Sequence, residues 1–166
     1  MVNLFLGLGG NVGNVSGKFQ IVLDKIDKDI GRVIARSSTY KTEPWGDKNQ
    51  DFFLNQVVEV QSTLNADEVL MKILDIEKSL GRNRNKDNQF AARTIDIDIL
   101  FFGNEIIKRP NLVIPHPRLH LRNFVLTPLF EIAPEFLHPS FNRRIKDLIK
   151  ETSDKSDVRI IEKFSG

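Results

Sequence analysis

The chain has 166 residues, 40% apolar and 28% charged, which is enough for one domain with a sizeable core. A net charge of +2 is too small to argue for nucleic acid, and the absence of cysteine excludes disulfides and thiolate metal sites. No apolar run approaches the roughly 18 residues that cross a bilayer. Met1 opens onto a short apolar run with no basic segment ahead and no small-residue cleavage site behind, so a cytoplasmic protein with a single domain over 1–166 is expected.

Residues 2–8 read as a first strand. The turn-rich Gly9-Gly10-Asn11-Val12-Gly13-Asn14 follows, with Asn14 placed to cap a helix. Val15, Phe19, Val22, Leu23, Ile26 and Ile30 recur at helical spacing, and Gly31 ends the stripe. The glycines have the bare spacing of a dinucleotide fingerprint, but the regular strand and helix alternation of such a fold does not follow them.

Residues 32–41 and 52–63, rich in β-branched and aromatic side chains, predict two successive strands. The connection between them carries Pro44, Gly46, Asn49 and the only tryptophan, Trp45, which serves either as a tether or as a ligand contact. Phe53, Asn55 and Val57 share a face on the second strand, an arrangement that suits a planar heterocycle and equally suits ordinary packing. Asn65 with Glu68 predicts a capping box, and Val69, Ile73, Ile76 and Leu80 a helix stripe ending at Gly81. Glu77 beside that stripe is either a solvated helix residue or a site residue. Residues 82–93 then form an apolar-poor loop with three arginines and one lysine against one aspartate.

That loop feeds into Ile95-Asp96-Ile97-Asp98-Ile99-Leu100-Phe101-Phe102. Side chains alternate on a strand, so Asp96 and Asp98 share one face, about 6.5 Å apart along the backbone, and Ile95, Ile97, Ile99 and Phe101 take the other. The pair is either the wet face of an amphipathic strand or a seat for two divalent cations. Leu100 and Phe102 carry the Asp face into apolar residues, which places the acids at the rim of a core, where sites are built. Guanidiniums beside paired carboxylates make sense when metals bridge some oxygens of a polyphosphate and arginine forks hold others.

Gly103-Asn104 predicts a turn, and residues 105–107 with 112–114 a small ribbon. The segment Pro115-His116-Pro117-Arg118-Leu119-His120-Leu121-Arg122-Asn123-Phe124 is a poor regular element, and its histidine and arginines suit phosphate contact. Helical spacing resumes over 124–132 and again over 143–152, and 158–164 read as a last strand. The order strand, helix, strand, strand, helix, strand predicts an α+β, ferredoxin-like βαββαβ core. Its sheet would be largely antiparallel, with helices on the Ile95, Ile97, Ile99 face and C-terminal additions sharing the Asp face with ligand, a three-layer α/β/α arrangement.

Several blocks together resemble the 6-hydroxymethyl-7,8-dihydropterin pyrophosphokinase family of folate biosynthesis. They are Gly-Leu-Gly-Gly-Asn, Tyr40-Lys41-Thr42-Glu43-Pro44, Phe53-Leu54-Asn55, Glu77 with Gly81-Arg82-Asn83-Arg84, Arg93-Thr94-Ile95-Asp96-Ile97-Asp98, and Pro115-His116-Pro117-Arg118 before Leu121-Arg122-Asn123-Phe124. The resemblance spans nearly the whole chain. It implies transfer of pyrophosphate from ATP, the co-substrate, to the pterin hydroxymethyl group, with release of AMP. By the same likeness Asp96 and Asp98 hold two Mg2+ ions, and Arg82 and Arg93 meet the transferring group. Glu77, Arg84, Phe90, Ile99, His116 and Arg122 belong to the nucleotide side. Phe53 and Phe124 would enclose the pterin, Asn55 would bond its edge, and Thr42, Glu43, Pro44 and Trp45 would supply further contacts. The implied partners are small molecules, with no nucleic acid and no membrane, and the chain reads as a monofunctional monomer.

Departures from the family pattern fall at Gln89, Phe90, Ala91 and Ala92 in the loop, at Gly10 in the glycine block, and at Pro117. They predict altered lid kinetics or nucleotide affinity with the chemistry kept. Two other classes stand as rivals: an RNA-binding module on the same layout, which lacks its aromatic strand signature here, and a metal-dependent phosphodiesterase, which calls for further acids or histidines.

Overall fold

The computed structural model describes residues 1–10, 15–42, 52–81 and 95–162. In chain order these give β1 (Val2–Gly10), α1 (Val15–Asp29), β2 (Arg32–Arg36), β3 (Thr39–Thr42), β4 (Phe53–Ser62), α2 (Ala66–Ser79) and β5 (Asp96–Phe102). The ribbon β6 (Ile107–Arg109) and β7 (Leu112–Ile114) follows, then a single 3-10 turn at Leu119–Leu121, α3 (Asn123–Ile132), α4 (Ile145–Glu151) and β8 (Val158–Glu162). The main sheet runs β5-β1-β4-β3-β8 with β2 also paired to β4, and every pairing is antiparallel. Two helical crossovers that each skip a strand give this order, as a split βαβ unit requires, and the layout fits the ferredoxin-like expectation.

Two apolar clusters lie on the two faces of the sheet. Phe19, Val22, Leu23 and Ile26 of α1 and Val69, Ile73 and Ile76 of α2 pack with Leu4, Leu6, Leu8, Ile95, Ile97 and Ile99. Leu126 and Leu129 of α3 and Ile145 and Leu148 of α4 cover Phe5, Val57, Leu100 and Phe101 on the other face. The result is the expected α/β/α layering. The face an RNA-binding module would leave open is partly roofed by α3 and α4.

The sequence reading of α2 holds in detail. Asn65 Oδ1 accepts the Glu68 N–H at 2.9 Å, and the Glu68 carboxylate accepts the Asn65 N–H at 3.1 Å. Capping of this kind is worth about 1 kcal/mol. Beyond the last turn Gly81 takes φ +92°, a left-handed conformation that stops the helix without strain.

Two expectations are corrected. The single strand expected over 32–41 is two, because Ser37 and Ser38 break the ladder. Ser37 turns its hydroxyl to the Ser38 carbonyl at 2.8 Å and accepts the Val57 N–H at 2.9 Å, so these buried backbone groups are satisfied outside the regular ladder. Strict alternation along β5 also fails. Ile99 pairs with Leu6 and Phe101 with Phe5, so Leu100 is an extra residue, a β-bulge. Leu100 and Phe101 therefore both face α3 and α4, and Phe102 returns to the α1 and α2 side with Leu4. Phe101, expected beside the isoleucines, lies on the Asp face. Smaller shifts put the first ribbon strand at Ile107–Arg109 and the last helix at Ile145–Glu151.

Candidate active site

The ladder sets the floor of the site. Asp96 lies opposite Gly9 and Asp98 opposite Gly7; on the other side of β1, Gly9 is paired with Asn55 and Gly7 with Val57. Paired residues share a face, so the two acids and Asn55 flank a strip of sheet that bears no side chains. A cavity of about 360 Å3 stands over that strip. Its lining includes both acids, both glycines, Thr42, Phe53, Asn55, Leu100, Arg122 and Phe124. The glycines are the functional residues that the sequence reading left without a role. A Cβ on Gly9 would stand 3.1 Å from Asn55 Oδ1, and one on Gly7 would stand 3.5 Å from Leu100.

At one end of the cavity Asn55 Nδ2 donates to Thr42 Oγ1 at 3.3 Å, which leaves Oδ1 on the Gly9 side. Asn55 and Thr42 are both buried, so this amide is held in a dry wall and is fixed in orientation by the hydroxyl. Phe53 follows Thr42 across the β3 and β4 ladder, and Phe124 faces the cavity from the first turn of α3. Apolar rings and a fixed amide suit a flat, polar-edged ligand.

The other end is charged. Asp98 is exposed, and its charge acts on both His116 and Arg122. Burial pushes the His116 imidazole below its ordinary range; the Asp98 charge opposes this, and Arg122 and Arg118 reinforce it. His116 is therefore neutral near pH 7. Its Nδ1 accepts the Arg118 N–H at 3.1 Å, which leaves the ring proton on Nε2 as a donor. Its own N–H bonds to the carbonyl of Leu100, so the bulge in β5 and the position of His116 are linked at 3.0 Å. Arg122, the residue before α3, lies with its guanidinium carbon 5.6 Å from the centre of the Phe124 ring and joins the charged end to the aromatic one.

Glu77 is neither solvated nor in the cavity. It is 2% exposed, and its carboxylate accepts the Ile97 N–H at 2.9 Å. β5 is an edge strand, so Ile97 presents its N–H outward, and Glu77 reaches from the last turn of α2 to hold the strand between the two acids. Ile99 turns its side chain into the α1 and α2 core, away from the acids. The structure thus brings together Thr42, Phe53, Asn55, Asp96, Asp98, Arg122 and Phe124, with His116 adjoining. Arg82, Arg84, Phe90, Arg93, Glu43, Pro44 and Trp45 lie outside the described residues.

A cavity on the sheet face of an α+β domain, acidic and basic at one end and aromatic with a fixed amide at the other, has the make-up of a small-molecule site that takes a charged group and a flat ring together. Residues 5–134 match the family described as 7,8-dihydro-6-hydroxymethylpterin-pyrophosphokinase (HPPK). A relative from Aquifex aeolicus, a 2-amino-4-hydroxy-6-hydroxymethyldihydropteridine pyrophosphokinase, is 35% identical over 155 residues, 93% of this chain and 95% of that one. The enzyme of the same name from Haemophilus influenzae is 32% identical over 161 residues, 96% of this chain and 99% of that one. Among solved structures, wild-type Plasmodium falciparum HPPK-DHPS with pteroate superposes with a TM-score of 0.74 at 19% identity, covering 90% of this chain. The chain spans 44% of that longer protein. The chain belongs to the 6-hydroxymethyl-7,8-dihydropterin pyrophosphokinase family. Among the described residues no helix is long and apolar enough to cross a membrane.

Proposed function

We propose that the protein transfers the β,γ-pyrophosphoryl group of ATP to the hydroxymethyl oxygen of 6-hydroxymethyl-7,8-dihydropterin, releasing AMP. The observation that carries this reading is the shared cavity, in which Asp96 and Asp98 stand on one face across the bare Gly7 and Gly9 strip from Asn55. The pterin lies at the Thr42, Phe53, Asn55 and Phe124 end. Asn55 offers a fixed acceptor on the Gly9 side, and the rings supply stacking area.

Asp96 and Asp98 would hold Mg2+. Their donor set fits: both ligands are carboxylates, a hard cation prefers oxygen, and Mg2+ keeps sites for water and phosphate, so a third acid is not needed. None completes a cluster with them among the described residues. When bound, the ions neutralise triphosphate charge and polarise the phosphorus under attack. The protein's own groups do the rest. Arg122 and the Nε2–H of neutral His116 donate to phosphate oxygens, and Arg118, exposed beside them, adds positive field. Ile99, whose side chain is buried, has only its main chain to offer the nucleotide. Arg82, Arg84 and Arg93 supply further guanidiniums, and Glu43, Pro44, Trp45 and Phe90 further contacts, on the family's pattern. Phosphoryl-type transfer depends on position and charge stabilisation, which is why a site with no Ser or Cys nucleophile suffices. The protein acts as a cytoplasmic monomer.

The test is incubation with Mg2+, ATP and the hydroxymethyl dihydropterin. Pterin-dependent AMP is expected; ADP formation, or hydrolysis that ignores the pterin, would overturn the assignment.

A further inference from the structure

Glu131 lies in the last turn of α3, seven residues beyond Phe124, on no wall of the cavity. Its carboxylate nonetheless collects three donors from the start of β3. Oε1 accepts the Ser38 N–H at 2.8 Å and the Tyr40 hydroxyl at 2.8 Å, and Oε2 accepts the Ser38 hydroxyl at 2.7 Å. Ser38 and Tyr40 are buried, 1% and 5% exposed, and Glu131 itself is exposed, so buried donors meet the carboxylate at the surface end of α3. Burial, the bond to Glu131 and its negative charge push the Tyr40 phenol well above its ordinary range, so it stays a donor at any physiological pH.

The strand that Glu131 grips is the one that builds the pterin end. Tyr40 pairs with Asn55 across the ladder, and Thr42, two residues on, pairs with Phe53 and accepts from Asn55. Phe124 stands opposite on α3. We infer that Glu131 is a positioning residue for the pterin, a clamp that fixes the gap between the α3 wall and the β3 and β4 wall of the cavity. The inference rests on the reading of that end as the pterin site.

The opposite end of α3 is held separately. Asp154, in the segment before β8, accepts the Asn123 N–H at 2.8 Å, and Asn123 Nδ2 donates to the Ser156 carbonyl at 2.8 Å. Arg122 therefore keeps its anchor when Glu131 is lost. β3 keeps its ladders to β4 and β8 but loses this tie to α3. Releasing Ser38 and Tyr40 loosens Thr42 and its partner Asn55 against Phe124 and leaves the acids, three strands away on β5, where they are.

The experiment titrates 6-hydroxymethylpterin by fluorescence in the presence of Mg2+ and α,β-methylene-ATP, and titrates the nucleotide separately by calorimetry. Glu131→Ala should weaken pterin binding about tenfold, the equivalent of one charge-assisted hydrogen bond, with nucleotide affinity within about twofold of wild type. Glu131→Gln, which keeps an acceptor for the Ser38 N–H, should recover most of the loss; Tyr40→Phe should lie between and serves as the variant of record if Glu131→Ala does not fold. Parallel weakening of pterin and nucleotide, or unchanged pterin affinity with only a lower Tm, would overturn the clamp. Failure of the wild type to bind the pterin would overturn the reading of the pocket, and the clamp with it.

Discussion

Asp98 is the exposed member of the acid pair and the one whose charge reaches both His116 and Arg122. Asp98→Ala removes a carboxylate whose side chain contributes little to packing, so the variant should fold and melt like wild type while AMP formation falls by about 10²-fold or more. Full activity would return the pair to an ordinary wet strand face. Gly9 makes the complementary case, in which adding atoms does the damage. The methyl of Gly9→Ala would crowd Asn55 Oδ1 at 3.1 Å, so the amide must turn or the pterin must sit higher. We expect a rise in pterin KM of about tenfold, with kcat changed far less, measured in the AMP assay. The acids, Asn55 and Phe53 were legible in the sequence because carboxylates two apart and a Phe-x-Asn on a strand each imply a shared face; Phe124, on α3, entered only through the family resemblance. The glycine floor was not: a glycine two residues from another carries no sign of what lies across the sheet.

At the scale of elements, three tethers between carboxylates and backbone N–H groups place the site. Glu77 ties α2 to β5, Glu131 ties α3 to β3, and Asp154 ties the segment before β8 to α3. Glu77→Ala strands the buried Ile97 N–H, a cost of about 1–3 kcal/mol, and frees the strand between the acids. Both a lower melting temperature and a lower kcat are expected; a loss of stability with unchanged kcat would show that β5 holds its geometry without Glu77. Burial raises the Asp154 carboxyl, but the Ser156 hydroxyl and the Asn123 and Ser156 N–H groups outweigh it and hold it below its ordinary value. Its stabilising contribution is therefore fully present above the unfolded pKa and is lost as pH falls through the folded one. Asp154→Ala should lower stability by about 1 kcal/mol at neutral pH, and the difference from wild type should vanish at strongly acid pH. None of these tethers shows in the sequence, since the partners lie 20, 93 and 31 residues apart and no periodicity links them. The capping box of α2 showed at once, because its two partners are neighbours. The β5 bulge stayed hidden for another reason: Ile99, Leu100, Phe101 and Phe102 are apolar throughout, and a strand buried on both faces gives alternation nothing to mark.

For the molecule as a whole, acid sensitivity is concentrated in the layer that roofs the site. His138 is buried, stacked on Phe141 at 4.1 Å and edge-on to Phe101 at 5.4 Å. Its Nδ1 accepts the N–H groups of Ser140 and Phe141, both at 3.1 Å. Burial and the neighbouring His120 push it down to about 4. The unfolded chain takes up this proton near pH 6.5, where the native state refuses it, so stability falls as pH drops between those values, by at most about 1.4 kcal/mol per pH unit. Urea titrations from pH 7 to 4.5 should show that slope, and His138→Asn, which keeps an acceptor near Nδ1 but does not titrate, should flatten it. His116, shifted in the same direction, keeps the variant's slope above zero.

The sheet divides the interior into two cores with separate memberships; the core under α3 and α4 supplies Val57, Leu100 and Val125 to the cavity wall, and the core behind the sheet meets it at Leu8. Inherited or selected variation will therefore be read out in two ways. Truncating Phe19 or Ile73, behind the sheet, reduces how much enzyme a cell accumulates while each surviving molecule keeps wild-type selectivity. Truncating Leu126 or Leu129, under α3, alters the molecules that do survive, so resistance to a pterin-mimicking inhibitor is expected to arise from that second group without any change in a residue that touches the drug.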